Sequence, residues 1–280
     1  MLEALVFDVD GTVAETEDLH RRAFNLAFAE HGVELHWDAR EYRRLLRVHG
    51  GKERIALALG EREISRSAQE VAGIHATKTR FYAELLAAEG APWRPGVRRL
   101  MDEARRRGMK LALATTTTEA NLEPLFAPVM GPKWRRGFDA IVSGDAVARK
   151  KPAPDAYLET LARLRVPAGR AVAFEDSHAG VQAASRAGLA VIATPSSWLQ
   201  EDDVSGARMV LWHLGDAGQL WDEKHPVLKE RWLSARSLAE WHRRHVAGVE
   251  LAPRPADGPR RAPPQAVRES PSVYAFRRRP

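Results

Sequence analysis

The chain opens with a short apolar run that ends in two acids, a glycine and a hydroxyl: Leu5-Val6-Phe7-Asp8-Val9-Asp10-Gly11-Thr12. An apolar run of this length before a glycine predicts a buried β-strand. In an extended chain, Asp8 and Asp10 project toward the same side. Two crowded carboxylates repel each other unless a cation lies between them, so this pair predicts a Mg²⁺ site with a carboxylate nucleophile and a neighbouring acid/base. The alternative is an ordinary Asp-Gly turn with solvated acids.

The composition is typical of a globular protein with one or two domains. The 280 residues are 44% hydrophobic and 29% charged, and they include no cysteine. The lack of cysteine excludes disulfides, thiolate metal sites and a cysteine nucleophile. Acids such as Glu3 and Asp8 interrupt the N-terminal segment, which argues against a signal peptide, and no run reaches the roughly 18 apolar residues of a membrane span. We therefore expect a cytoplasmic protein that makes no membrane contact.

Most of the net charge of +6 lies at the C-terminal end of the sequence. Residues 251–280 contain seven arginines, two acids and seven of the 17 prolines, which gives this segment a charge of +5 and leaves +1 for the remainder. Such a composition cannot bury enough apolar surface to fold, so we predict a disordered basic tail. Binding of nucleic acid or of an acidic partner by Arg260-Arg261 and Arg277-Arg278-Arg279 is the alternative, and we favour the solvated tail.

Apolar segments typical of buried strands recur along the chain, with helical patterns between the later ones. The predicted strands are 4–7, 111–115, 140–143, 171–174 and 190–194. The predicted helices between them are 97–107, 120–129, 155–164 and 179–187. This alternation indicates βαβ units and a parallel sheet, an α/β fold in which ligands bind beyond the carboxyl ends of the strands.

Residues 16–90 interrupt this alternation, because they have apolar residues at helical spacing and no strand candidate. They predict a helical unit inserted after the first strand. The segment Ala91-Pro92-Trp93-Arg94-Pro95-Gly96 has the composition of the return linker. The predicted core domain therefore consists of residues 1–15 and 91–215.

The sequence beyond the core domain predicts further helical structure. Residues 216–250 form a predicted C-terminal helical extension, because apolar residues recur at helical spacing over 225–247. Within the core domain, the connector 128–134 contains two prolines and a glycine, which predicts a surface loop. No internal repeat accompanies these segments, so the architecture is predicted as one core domain with an insertion and an extension.

Polar side chains follow three further predicted strands. Thr115-Thr116 follows the second strand, where a hydroxyl and free backbone N–H groups can hold phosphoryl oxygens or cap a helix. Lys151-Pro152 follows the third, and the lysine supplies a point charge for a phosphate or lies in an exposed turn. Glu175-Asp176 leaves the fourth strand, where two adjacent acids suit a hard cation or a helix N-cap.

Taken in order, these segments form one constellation of acid pair, hydroxyl, lysine and acid pair. The constellation resembles the four motifs of the haloacid dehalogenase (HAD) superfamily of phosphotransferases, over about residues 1–215. Three segments further resemble the CbbY-type sugar phosphatases: Glu15-Thr16-Glu17-Asp18-Leu19-His20-Arg21-Arg22-Ala23-Phe24-Asn25, Gly50-Gly51-Lys52-Glu53-Arg54-Ile55 and Lys150-Lys151-Pro152-Ala153-Pro154-Asp155. Those enzymes accompany Rubisco in carbon fixation and dephosphorylate xylulose 1,5-bisphosphate. The resemblance implies a HAD-type Rossmann-like parallel sheet with an inserted helical cap.

The resemblance also implies a Mg²⁺-dependent phosphatase that works through an aspartyl-phosphate. By this resemblance, Asp8 attacks phosphorus, and Asp10 protonates the departing sugar oxygen and then deprotonates the hydrolytic water. Thr115 and Lys151 hold the oxygens of the transferring phosphoryl group. The implied Mg²⁺ ligands are Asp8, the backbone carbonyl of Asp10, Asp176 and Glu175, the last directly or through water. A sugar phosphomutase similar to β-phosphoglucomutase is the alternative within the same superfamily.

The cap of such enzymes closes over the site and contributes substrate contacts. By resemblance, the substrate-binding candidates are Glu17, His20, Tyr42, Gly51, Lys52 and Thr116, with Lys78 as a weaker one. Lys52 is suited to bind a second phosphate. For His20 and Tyr42, the alternatives are a surface helix histidine and a core aromatic of the cap. The segment Arg47-Val48-His49 departs from the family pattern of small hydroxyl residues. The expected partner is a small sugar (bis)phosphate, and the expected state is a monomer.

Overall fold

The structure of the protein is a computed structural model that describes residues 1–48 and 50–246. The predicted tail, 251–280, and His49 lie outside the described residues. The strands are β1 (Ala4–Phe7), β2 (Lys110–Ala114), β3 (Ala140–Val142), β4 (Ala171–Glu175), β5 (Ala190–Ala193) and β6 (Met209–Val210). They form one parallel sheet in the order β3-β2-β1-β4-β5-β6. The predicted α/β fold with a parallel sheet is confirmed.

Helices cover both faces of this sheet. They are α5 (Val97–Arg106), α6 (Leu122–Met130), α7 (Asp155–Leu164) and α8 (His178–Arg186). Alternate residues of β1 point to opposite faces, so Leu5 and Phe7 pack in one cluster with α5 and α6, whereas Val6 packs in the other with α7 and α8. Continuous apolar strands follow from this double covering, because neither face of the sheet is left to water.

The segment between β1 and β2 is helical over most of its length. It contains α1 (Glu17–Glu30), α2 (Ala39–Leu45), α3 (Gly51–Gly60) and α4 (Ala68–Glu89). These helices enclose a separate apolar cluster built around the buried aromatics Phe24, Phe28, Trp37 and Tyr42. Because this cluster is distinct from the two that cover the sheet, the helices form a unit with its own core, here called the helical unit (residues 16–90).

Two linkers join the helical unit to the sheet, and they pair with each other. The backbone N–H of Glu15 donates to the Pro92 carbonyl at 3.0 Å, and that of Arg94 donates to the Val13 carbonyl at 2.8 Å. The buried Arg94 side chain fastens this pair of linkers. Its guanidinium lies 3.0 Å from the Glu15 carboxylate and donates to the Gly11 carbonyl at 2.7 Å. It also donates to the carbonyls of Thr194, Pro195 and Trp212.

The C-terminal part of the described chain differs from the prediction. The last helix, α9, runs from Ala235 to His245, so the helical pattern predicted over 225–247 is wrong for residues 225–234. There the His225 ring accepts hydrogen bonds from two backbone N–H groups, and Lys229 has a φ of 59°, which a helix does not allow. Ser234 then starts α9 with a capping box. The apolar residues between these points are buried without being helical, because a turn can also direct them into the core.

The connector 128–134 also departs from the prediction of a surface loop. Residues 128–130 form the last turn of α6, and Trp134 is almost fully buried. The Trp134 ring stacks on Phe126, with 4.9 Å between the ring centroids. Burial of a large aromatic therefore outweighs the local Pro and Gly signals. Within the described ranges, no helix combines the length and the apolar character that crossing a bilayer requires.

Candidate active site

Three acids meet at the carboxyl ends of two neighbouring strands. Phe7 of β1 pairs in register with Phe174 of β4, so the next residues along each strand, Asp8 and Glu175, come side by side. Asp176 follows directly. All three side chains are buried, and one carboxylate oxygen from each lies within 4.8 Å of the others. The parallel register thus gathers into one acidic cluster residues that are far apart in sequence.

Lys151 is a cation in direct contact with this acidic cluster. Its Nζ donates to Asp8 Oδ1 at 2.6 Å and to Glu175 Oε1 at 2.5 Å. The Tyr157 hydroxyl donates to the same Glu175 oxygen. Burial opposes the charge of Lys151, but the carboxylates of Asp8 and Glu175 outweigh this effect and raise its pKa above its ordinary value. Lys151 is therefore charged and fixed against the side chain of Asp8.

One lysine does not balance three buried carboxylates. Burial raises the pKa of Asp8 to about 7, although Lys151 acts in the opposite direction. Burial, together with the charges of Asp8 and Glu175, raises the pKa of Asp176 well above its ordinary value. In addition, the buried Glu175 Oε2 atom has no hydrogen-bond partner among residues 1–48 and 50–246. A donor set made of carboxylate oxygens with excess negative charge fits a divalent hard cation.

Gly11 allows the close approach of the first loop to Asp176. Its φ of +76° lies in the left-handed region, and a Cβ atom at this position would lie 1.9 Å from Asp176 Oδ2. No side chain fits in that space. A glycine is therefore required after Asp10 for two reasons: the left-handed backbone conformation and the packing of the loop against Asp176.

Asp10 has a different environment from the acidic cluster. Its Oδ1 accepts hydrogen bonds from the Thr16 hydroxyl at 2.8 Å and the Tyr82 hydroxyl at 3.2 Å, and His20 Nε2 lies 3.7 Å away. Burial favours the neutral acid, but these partners outweigh it and lower the pKa of Asp10. Thr16, His20 and Tyr82 all belong to the helical unit. The ionisation of Asp10 is therefore set by the helical unit, although Asp10 itself follows β1.

A cavity of about 490 Å³ lies between the strand ends and the helical unit. Of the predicted site residues, those that line it are Asp8, Asp10, Glu17, Gly51, Lys52, Thr116, Lys151 and Asp176. The structure thus brings together candidates from the sheet and from the helical unit. One end of the cavity carries the acids that follow β1 and β4, and Lys52 enters it from the start of α3.

The other predicted residues lie behind this lining. Glu175 lies under Lys151, and Thr115 Oγ1 accepts a hydrogen bond from the Thr117 N–H at 3.1 Å. The His20 ring stacks on Tyr82, with centroids 3.8 Å apart. Tyr42 is fully buried, and its hydroxyl donates to Glu17 Oε2 at 2.8 Å. These four side chains are not part of the cavity lining, and their predicted roles stay predictions.

Comparison with known proteins identifies the family of this chain. The family model of haloacid dehalogenase-like hydrolases matches residues 2–188, which include all four strand-end motifs. The chain belongs to the haloacid dehalogenase-like hydrolases. Hydrolases of this family typically use a divalent metal, and the buried acidic cluster fits one. The resemblance identified from the motifs is thereby confirmed.

Relatives narrow the assignment within the HAD-like hydrolases. Protein CbbY of Cupriavidus necator is 46% identical over 246 residues, which cover 86% of this chain and 97% of the relative. A crystal structure of a CbbY mutant from Rhodobacter sphaeroides in complex with xylulose-(1,5)bisphosphate matches with a TM-score of 0.70 and 46% identity, and covers 78% of this chain and 98% of that chain.

A mutase-like structure matches less well. The putative β-phosphoglucomutase from Thermotoga maritima is 30% identical with a TM-score of 0.55, and the match covers 75% of this chain and 94% of that chain. The predicted activity is confirmed at the level of a sugar-phosphate phosphatase, and the mutase alternative has less support.

Several lining residues of this HAD-like hydrolase are not among the sequence candidates. Arg54, His75 and Lys150 add basic groups to the cavity. Arg54 lies three residues after Gly51 and hence on the same helical face, so the spacing within Gly50-Gly51-Lys52-Glu53-Arg54-Ile55 could have identified it as a candidate. His75 offers no such signal, because it comes from α4, which is adjacent to α3 only in the folded chain. Burial and the charges of Lys78 and Lys52 lower the pKa of His75 to about 4, so its ring is neutral near pH 7.

Lys78 is a buried lysine whose charge lowers the stability of the fold. Burial, and then the charge of Arg54, lower the pKa of Lys78 to about 8 from 10.5. Between these two values the unfolded chain binds more protons than the folded chain, so the free energy of unfolding is expected to rise with pH. The expected contribution of Lys78 between pH 7 and pH 9.5 is about 2 kcal/mol.

Urea unfolding of the wild type and of Lys78→Met at both pH values measures this contribution. Methionine keeps an apolar chain beside the Phe24 and Tyr82 rings, over which the lysine Nζ now lies at 4.9 Å and 5.1 Å from the centroids. We expect Lys78→Met to be the more stable protein at pH 7 and to show the smaller increase at pH 9.5. The same pH dependence in both proteins would contradict the assignment to Lys78.

Proposed function

We propose that this enzyme is a Mg²⁺-dependent phosphatase that hydrolyses xylulose 1,5-bisphosphate, and that it acts in the cytoplasm alongside carbon fixation. The main support is the composition of the cavity. Asp8 and Asp10 line it beside Lys151, which follows β3, and Lys52 of the helical unit adds a second basic side chain. A bisphosphate needs one cationic region for the phosphate that reacts and another for the phosphate that stays. The sugar bisphosphate bound by the CbbY relative supports this substrate class.

We assign the two structural units different tasks. Residues 1–15 and 91–215 act as the core domain that carries the chemistry, and residues 16–90 act as the cap that binds the sugar. The described helix of the 216–250 extension, α9, packs on the core cluster through Leu238 and Trp241, on the face of the sheet covered by α5. Its task is structural. Closure of the cap over the strand ends excludes water from the cavity and brings Glu17 and Lys52 to the substrate.

Asp8 is the proposed nucleophile. The Lys151 ammonium fixes Asp8 Oδ1 at 2.6 Å, and the carboxylate attacks phosphorus to form an aspartyl-phosphate while the bond from phosphorus to the sugar oxygen breaks. Lys151 and the Thr115-Thr116 segment hold the oxygens of the phosphoryl group during transfer. Lys151 is suited to this task because its position and charge are fixed before the substrate arrives.

Asp10 is the proposed acid/base. It lines the cavity beside Asp8, and its pKa is low without substrate, so it starts as a carboxylate. An anionic phosphate ester placed next to it raises its pKa, so Asp10 takes up a proton from solvent as the substrate binds and then donates it to the leaving sugar oxygen. After departure of the sugar, the Asp10 carboxylate takes a proton from the water that attacks the aspartyl-phosphate.

The proposed metal is Mg²⁺, held by Asp8, Asp176, Glu175 and the backbone carbonyl of Asp10. When bound, it would shield the carboxylate nucleophile from the anionic phosphate and stabilise the charge on the transferring oxygens. Glu175 Oε2, which has no hydrogen-bond partner in the described part of the chain, and the raised pKa of Asp176 support a cation there, because a buried anionic oxygen without a partner is unfavourable.

A panel of sugar phosphates with and without Mg²⁺ tests the proposed function. We expect release of inorganic phosphate from xylulose 1,5-bisphosphate over many turnovers, at a higher kcat/KM than from ribulose 1,5-bisphosphate or glucose 1-phosphate. EDTA is expected to abolish the release, and added Mg²⁺ to restore it. Phosphate transfer to a second sugar without net phosphate release would favour the mutase, and a preference for a monophosphate would overturn the bisphosphate assignment.

Lys52→Met separates the two phosphate regions in the same panel. Lys52 lines the cavity from α3 of the helical unit, whereas the acidic cluster follows β1 and β4, so its loss should weaken binding of the phosphate that stays. The expected effect is an increase in KM for the bisphosphate of about tenfold. KM for glucose 1-phosphate, which has no second phosphate, is the matched control and should change much less. Equal effects on both substrates would contradict the proposed role of Lys52.

A further inference from the structure

The segment between β5 and β6 joins the core domain to the helical unit, at a contact distinct from the linkers. It is here called the β5–β6 loop (residues 194–208). Trp198 and Leu199 of this loop pack on the apolar cluster of the helical unit, although the loop itself starts and ends in the sheet. Leu199 and Asp202 also line the catalytic cavity. The loop therefore touches the helical unit and the cavity at the same time.

Trp198 makes the most specific of these contacts. Its ring meets Tyr42 edge to face, with centroids 5.7 Å apart and an interplanar angle of 79°. On α2, the Arg43 guanidinium lies over the Trp198 ring, 4.9 Å from its centroid. Contacts of both kinds are attractive and directional, so they favour one position of the helical unit relative to the loop. The nearby ion pair of Arg47 and Glu201 is exposed and adds little.

Tyr42 transmits this contact to the cavity. Its ring is fully buried, and its hydroxyl donates to Glu17 Oε2 at 2.8 Å. Glu17 in turn lines the cavity. The Arg54 guanidinium, also a lining group, reaches the same hydroxyl at 3.5 Å. A shift of the Tyr42 ring would therefore move the hydrogen-bond partner of one lining acid and disturb one lining base.

The second half of the loop is fixed to the start of α8, close in sequence to the acidic cluster. Asp202 Oδ2 accepts a hydrogen bond from the His178 N–H at 2.7 Å, at the start of α8. His178 Nδ1 lies 2.5 Å from the Asp203 carbonyl. Because α8 begins two residues after Asp176, the loop has a fixed position relative to the reacting end of the cavity. Trp198 therefore has a fixed position in the core domain, and the helical unit packs against its ring.

We infer that Trp198 is a positioning residue for substrate recognition, which holds Tyr42, and through it Glu17, in place when the helical unit rests on the core domain. This inference rests on the proposed function, because it assigns the sugar-binding end of the cavity to the helical unit. Contact with the β5–β6 loop completes that end of the cavity. We expect the chemistry at Asp8 and Asp10 to be retained without Trp198, because Trp198 contacts α2, whereas the groups that hold Asp10 come from the start of α1 and from α4.

Steady-state kinetics of the full chain with Trp198→Ala tests the inference. The substrate is the sugar phosphate that the wild type hydrolyses best, together with p-nitrophenyl phosphate, which has no sugar to reach Glu17. We expect KM for the sugar phosphate to rise about tenfold, the size expected for loss of an aromatic pair and a cation–π contact. We expect kcat to stay within about twofold, and both constants for p-nitrophenyl phosphate to be unchanged. Trp198→Phe should restore most of the affinity, because it keeps an aromatic edge against Tyr42.

Trp212→Ala is the matched control, because it removes a partly exposed tryptophan ring that does not line the cavity. An unchanged KM for the sugar phosphate in Trp198→Ala would overturn the inference. Equal losses of kcat/KM on the sugar phosphate and on p-nitrophenyl phosphate, together with a lower melting temperature, would also overturn it. If the wild type prefers a sugar phosphate other than xylulose 1,5-bisphosphate, the proposed substrate is wrong. The inference about Trp198 is still tested, because the variants are then compared with the wild type on the preferred sugar phosphate.

Discussion

Asp8→Asn is expected to abolish turnover and to lower kcat by roughly 10⁴-fold or more. The amide has no anionic oxygen to attack phosphorus, so the aspartyl-phosphate cannot form. Asparagine also removes the negative charge that holds Lys151 at 2.6 Å, which loosens the group proposed to bind the phosphoryl oxygens. The side chain keeps its size, so the fold around β1 should be retained.

Acid-quenched protein labelled from a radioactive sugar phosphate gives the direct measurement. The wild type should carry label on the protein during turnover, and Asp8→Asn should carry none. Asp18→Asn is the matched control, because Asp18 is an exposed carboxylate paired with Arg21 on the surface of α1. Its kcat should equal that of the wild type. Phosphate release by Asp8→Asn above about one hundredth of the wild-type rate would contradict the nucleophile assignment.

The sheet and the acidic cluster could be predicted because their signals are local. Each strand appears as an apolar run, and the predicted ends of the strands lie within one residue of the observed ends for β1 to β5. In a parallel sheet, the carboxyl ends of neighbouring strands share one edge, so the residues after β1 and β4 meet without any further information. The short β6, with two residues, is missed because a pattern needs more positions than that.

The partners of the site residues could not be predicted, because they depend on how the helical unit docks. Tyr82 is 72 positions from Asp10 in sequence, and its hydrogen bond to Asp10 exists only because α4 packs over the loop after β1. Arg94 gave only a linker signal, since its flanking prolines mark a turn. Its five acceptor residues come from three separate parts of the chain. Such contacts follow from tertiary packing and leave no periodic pattern.

The error over residues 225–234 has a related cause. Leu228, Trp232 and Leu233 have helical spacing, but spacing reports only which residues are buried, and a turn can bury the same residues. The backbone there forms turns instead, because the His225 ring accepts a hydrogen bond from the Val227 N–H and Lys229 adopts a left-handed conformation. The helix begins only after Ser234, whose side chain forms a capping box with Ser237.

Asp10→Asn is expected to lower kcat for the sugar phosphate by about 10³-fold, because general acid–base catalysis contributes roughly two to four orders of magnitude. The amide still accepts hydrogen bonds from the Thr16 and Tyr82 hydroxyls, so the loop after β1 should keep its position. What the variant loses is the proton needed by the sugar oxygen and the base needed by the water. Both steps slow, so neither phosphate nor labelled protein should accumulate quickly.

A substrate with a better leaving group separates these two steps. p-Nitrophenolate leaves without a proton, so Asp10→Asn should release one equivalent of it per enzyme in a rapid burst and then turn over slowly, because hydrolysis of the aspartyl-phosphate still lacks its base. The wild type, with both functions intact, is the control and should show a faster steady rate. His20, 3.7 Å from Asp10, is the other group able to move this proton. If Asp10→Asn turns over near the wild-type rate while His20→Asn does not, the acid/base role belongs to His20.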